Sequence, residues 1–69
     1  MLYEVTFYCN QIACANLVES DAMRNGKEYF MQEVLQGDES RFIGISELNT
    51  EIKPGIPIFR VPECWKVTV

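Results

Sequence analysis

Two strand-like runs stand only two residues apart at the start of this chain, and that spacing constrains the fold more than any other feature. Residues 2–9, Leu-Tyr-Glu-Val-Thr-Phe-Tyr-Cys, alternate with period two. Tyr3, Val5, Phe7 and Cys9 form an apolar face, and Leu2, Glu4, Thr6 and Tyr8 a mixed one. β-Branched and aromatic residues suit a half-buried pleated surface. Residues 12–18, Ile-Ala-Cys-Ala-Asn-Leu-Val, read as a second strand. Asn10-Gln11 between them is too short for anything but a hairpin turn, although it lacks the strong Asn-Gly signature. A two-residue turn sets Cys9 opposite Ile12, Phe7 opposite Cys14, Val5 opposite Asn16 and Tyr3 opposite Val18. Slipping by one residue would send the second strand's set to the other face.

A helix follows. Ser20 and Asp21 are N-cap residue types, and Asp21–Gln36 carries Ala22, Met23, Gly26, Phe30 and Val34 on one stripe at three- and four-residue spacing. Asn25-Gly26 is its weak point, because glycine inside a helix costs about 1 kcal/mol relative to alanine. Either the helix approaches the sheet closely at Gly26, or it starts only at Lys27. Gly37 is a natural stop.

Residues 37–40 then read as a turn and Arg41–Ile45 as a third strand, with residues 46–49 ambiguous. Lys53-Pro54-Gly55 marks a loop. Ile56–Val61 is apolar, but Pro57 demotes it to an edge strand or an extended loop. Cys64–Val69 alternates cleanly, with Trp65, Val67 and Val69 on one side. The expected fold is therefore a single α+β domain of residues 1–69, a mostly antiparallel sheet of three to five strands with one helix on one face. Phe7, Phe30, Phe42 and Trp65 are its expected aromatic core. A chain of 69 residues has room for a shallow groove rather than a deep cofactor pocket.

The chemistry available is narrow. There are no histidines, which removes the commonest general base and the Ser-His-Asp and Cys-His arrangements. The four glycines are scattered, so no phosphate loop is formed. Cys9, Cys14 and Cys64 are one thiol short of a usual structural zinc site, and small apolar packing is the commoner role of such residues. Lys66, two residues from Cys64 on the same face of the last expected strand, is the candidate neighbour for lowering that thiol's pKa. Glu28 with Glu33, or Glu47 with Glu51, would serve as an acid–base pair only inside a cleft that shifts one pKa, and exposed solvated charge explains them. No catalytic residue, cofactor or metal is expected.

Ten acidic residues against six basic ones give a net charge of −4. Residues 33–51 are the acidic stretch, with Glu33, Asp38, Glu39, Glu47 and Glu51 against Arg41 alone. That composition disfavours nucleic acid, whose binders concentrate Lys and Arg. The leading expectation is a small non-enzymatic interaction or regulatory module that binds a protein partner or itself. Its candidate contact residues are Tyr8, Tyr29, Met31, Leu35, Asp38, Glu39, Glu47 and Glu51. Tyr8 falls opposite the core face, while Met31 and Leu35 lie off the helix stripe and suggest a second apolar surface. One alternative is nucleic-acid binding through the sheet with Lys53, Arg60 and Lys66. Another is an inhibitor whose acidic face mimics nucleic acid, as in some small proteins of bacteria, phages and mobile elements. No stretch reaches 18 apolar residues, no basic leader opens the chain, and three cysteines are too few for a disulfide framework. A cytoplasmic protein with reduced thiols is expected.

Overall fold

The computed structural model describes residues 1–49, 55 and 57–65. In chain order the elements are β1 (Leu2–Cys9), β2 (Ile12–Glu19), α1 (Met23–Glu33), a 3₁₀ turn (Glu39–Arg41), β3 (Phe42–Glu47) and β4 (Ile58–Arg60). The strands form one mixed sheet in the order β3-β1-β2-β4. β1 pairs antiparallel with β2 and β3, and β4 pairs parallel with β2. One helix packs on one face of this sheet, the expected α+β arrangement.

The hairpin register is the expected one. Cys9 faces Ile12, Phe7 faces Cys14, Val5 faces Asn16 and Tyr3 faces Val18. Asn10 and Gln11 both have positive φ, 51° and 69°. That is how a two-residue loop matches the twist of its strands, and asparagine tolerates the conformation better than glutamine does. Met1 and Ser20 extend the ladder by exchanging backbone hydrogen bonds of 2.9 and 3.0 Å.

That extension shifts the helix start. Ser20 belongs to the ladder, and the N-cap is Ala22, with φ −146° and ψ 150° and no side-chain cap. Ser20 Oγ accepts instead from the Ala22 N–H at 3.4 Å, while the Asp21 carboxylate accepts from Asn25 Nδ2 at 2.9 Å. Neither expected cap residue occupies the cap position. The helix does begin before Gly26, and Gly26 is buried in it. A Cβ there would lie 3.4 Å from both Ser20 Cβ and Val18 Cγ1. Glycine lets the helix backbone settle onto β2. At the other end the helix stops at Glu33, short of the expected Gln36. Gln36 and Gly37 take positive φ, and the Gly37 N–H donates to the Met31 carbonyl at 2.8 Å, closing the turn.

Val5, Phe7, Val18, Phe30, Met31 and Leu35 form the buried cluster, with Phe42, Ile45, Phe59 and Val61 packed against it. Phe30 sits at its centre, its ring 5.1 Å from that of Phe7 and 5.9 Å from that of Phe59. Lys27 lies over the Phe42 ring at 5.1 Å and ties the helix to β3. β3 extends to Glu47, which settles the ambiguous residues 46 and 47 as strand. Cys64 sits in a turn that the Trp65 N–H closes by donating to the Pro62 carbonyl at 3.0 Å, so the expected final strand does not begin there. Its remainder, residues 66–69, lies outside the described residues.

Candidate functional site

Three large apolar side chains of the described strands are exposed towards the hairpin end, and they do not all share one face. Tyr8 is 44% exposed, Ile12 67% and Ile43 45%. The reasons differ. Tyr8 has the parity of the face turned away from the helix. Ile12 shares the core parity but sits against the turn, where the partner position, Cys9, is itself exposed. Ile43 falls where the β1–β3 register shifts, with Phe7 opposite Phe42 and Thr6 opposite Gly44, so it has no partner on β1.

Arg41 fixes this end. Its Nε donates to the Tyr8 carbonyl oxygen at 3.0 Å, joining the 3₁₀ turn to the last residues of β1. Tyr8, Asn10, Gln11 and Arg41 line an open depression of about 700 Å³. A tyrosine and a positioned guanidinium are the side-chain types that dominate protein-contact energetics. They supply no nucleophile–base pair.

The other candidate residues are dispersed. Tyr29 is half-buried, and the Trp65 ring meets it edge-on at 5.6 Å. It thus contacts the C-terminal segment, and Trp65, half-buried against Tyr29, stands outside the core cluster in which it was expected. Met31 and Leu35 are core residues, 8% and 1% exposed, which corrects the expected second apolar surface. Leu35 lies beyond the helix end, so extrapolating the helical wheel to it placed it wrongly. Met31 lies within a buried arc wider than the stripe through Gly26 and Phe30. At the helix start the opposite error holds, since Ala22 and Met23 are exposed.

The acidic residues do not converge either. Asp38 Oδ1 accepts from the backbone N–H and the hydroxyl of Ser40, capping the 3₁₀ turn, and Glu39 is exposed on that turn. Glu47 lies at the far end of β3, about 20 Å of strand away. Glu51 is outside the described residues. Of the basic trio, Arg60 is exposed on β4, with its Nε 3.8 Å from Glu19, while Lys53 and Lys66 are outside the described residues.

Cys9 and Cys14 share one face as diagonal neighbours, as the register requires. Desolvation raises the Cys14 thiol pKa above its ordinary value; the charge and side-chain hydrogen bonding of Cys9 add to this, and the Cys9 backbone partly opposes it. A raised pKa keeps Cys14 protonated and poorly nucleophilic. Among the described residues no cluster of His, Cys, Asp and Glu is placed to hold a metal, and no helix is long and apolar enough to cross a membrane. Comparison with protein-family models, curated proteins and solved structures finds no match for this chain.

The sequence marked Tyr8 but not Ile12 or Ile43. Ile12 was detectable from its place beside the turn. Ile43 was not, because its exposure follows from a register shift that no local pattern signals.

Proposed function

We propose that this protein is a non-enzymatic binding module that engages a protein partner through the hairpin end, with Tyr8 and Ile43 of the neighbouring strand as apolar contacts and Arg41 as the polar anchor. The observation that carries this is exposed Tyr8 beside a guanidinium held by its own carbonyl, the two lining an open depression with Asn10 and Gln11. The net charge of −4 favours a protein over a nucleic acid as partner. The dispersed acidic residues lend little to a nucleic-acid-mimicking face.

The test is affinity capture from the native host with the wild-type chain and with a Tyr8→Ala/Ile43→Ser double variant. Both residues are exposed, so the fold should survive their replacement. A protein retained by the wild type and lost by the double variant supports the reading. Equal retention by both, or a salt-sensitive mobility shift with mixed oligonucleotides at low ionic strength, refutes it.

A further inference from the structure

Two free thiols share one face of the hairpin beside the Asn10–Gln11 turn, and the proposed partner contact uses neither. Cys9 pairs with Ile12 and Cys14 with Phe7, so the two cysteines stand diagonally across the ladder. Cys14 turns its Sγ towards the loop and donates to the Ile12 carbonyl at 3.6 Å. That direction brings it within hydrogen-bonding reach of the Cys9 side chain. Cys9 is exposed, and Cys14 is half-buried at the margin of the core. The third thiol, Cys64, lies between Glu63 and Trp65, which line a hollow with Met1 and Ser20 at the other end of the hairpin. β1 has eight residues, so about 25 Å of strand separates the two ends.

We propose that Cys9 and Cys14 form a thiol-modification site, closing into a reversible disulfide across the hairpin by exchange with a low-molecular-weight disulfide of the glutathione class. Cys9 is the more accessible thiol and reacts first. It loses its proton to solvent, and its thiolate attacks one sulfur of the small disulfide. That S–S bond breaks, and one small thiolate leaves and is protonated. Cys14 then gives up its proton, attacks the Cys9 sulfur of the mixed disulfide and expels the second small thiol. Two protein thiols are oxidised to one disulfide while one small disulfide is reduced to two thiols. Part of what holds Cys14 protonated is the charge of Cys9, and that part vanishes once Cys9 is in the mixed disulfide.

Diagonal partners begin about 7–8 Å apart, and beyond about 7 Å between Cα atoms a disulfide closes only if the backbone moves. The turn is where the hairpin can yield, because Asn10 and Gln11 are exposed and both have positive φ. Tyr8, Asn10 and Gln11 also line the open depression. Oxidation therefore draws the turn inward and reshapes that depression. The inference goes beyond the proposed partner contact and does not require it.

The test equilibrates the reduced protein with mixtures of glutathione disulfide and glutathione, quenches with acid, alkylates in denaturant and reads the intact mass. The wild type is expected to lose two hydrogens per chain and two of its three alkylatable thiols, with peptide mapping joining Cys9 to Cys14. Dithiothreitol should restore both thiols. The bond should form at a glutathione ratio roughly tenfold more reducing than the urea-unfolded chain requires, because the fold holds the two thiols together. Cys14→Ser should stop at a glutathione adduct on Cys9. Amide resonances of Tyr8, Asn10 and Gln11 should shift on oxidation, while those of Ser20 and Gly26 stay in place. A wild type that stops at glutathione adducts, or links chains through Cys64 instead, would overturn the proposal. So would a pair that oxidises no more readily than in the unfolded chain, or a turn whose resonances do not move. A chain that fails to close the bond yet captures a partner in a Tyr8-dependent way would sink this inference alone and leave the proposed function standing.

Discussion

β3 and β4 lie at opposite edges of one sheet and are held there by different forces. β3 contributes six residues and runs antiparallel to β1, with its ladder continued by the Leu48–Leu2 bond. β4 contributes three residues in a parallel ladder, and its attachment rests on Phe59, which meets Phe30 edge-on at 5.9 Å. Parallel pairs are slightly weaker per residue, and a three-residue strand makes few of them. The balance therefore differs: a longer backbone ladder weighs more at β3, although Phe42 and Ile45 also pack on the core, and side-chain burial weighs more at β4.

Replacing Phe30 with alanine breaks this contrast most severely. Phe30 is fully buried between Phe7 and Phe59, so the substitution should cost about 3–5 kcal/mol, read from the urea midpoint. Hydrogen exchange should show β4 amides losing protection before those of β3. Equal loss at both edges would mean that they depend on the helix alike.

Phe59→Ala isolates the β4 side. Its half-buried ring makes a loss of about 2 kcal/mol the expected outcome, with β3 protection unchanged. Gly26→Val perturbs the helix seat without touching either edge strand. The added side chain would crowd Val18 and Ser20, and about 1–2 kcal/mol of destabilisation is expected, measured by thermal melting. Ile43→Ser should shift stability by no more than about 0.5 kcal/mol, because that side chain is exposed and unpaired on β1. A larger loss would show that β3 relies on burial at Ile43 as well. Smallest of all is a rate difference. Iodoacetamide should modify exposed Cys9 faster than Cys14, whose thiol is held protonated, and mass spectrometry of the digest would reveal the order.

How much was readable in advance follows the range of the interactions involved. The hairpin was legible to the residue, because a two-residue loop leaves one register that keeps Tyr3, Val5 and Phe7 on the buried side. Gly26 was legible as one of two options, and packing against Val18 selected the close approach. The cap was misread because the Met1–Ser20 exchange, 19 residues apart in sequence, draws Ser20 into the sheet. Leu35 was misread because a helix end is a weak local signal, and three residues of error turn a side chain by most of a revolution. In the candidate site, Tyr8 was visible from alternation alone, whereas its neighbour Arg41 is 33 residues away and joins it only through the fold.

What composition and local order settled by themselves is the succession of hairpin, helix and third strand, the α+β class, the hairpin register and the poverty of reactive side chains. These depend on residue identity and on spacings of a few positions, which a linear pattern records. Tertiary structure alone decided that β4 runs parallel beside β2, that Met31 and Leu35 are buried, and that β3 and β4 stand at opposite ends of the sheet. Those outcomes turn on which distant segments compete for the same apolar surface and the same backbone groups, and no window of sequence contains both competitors.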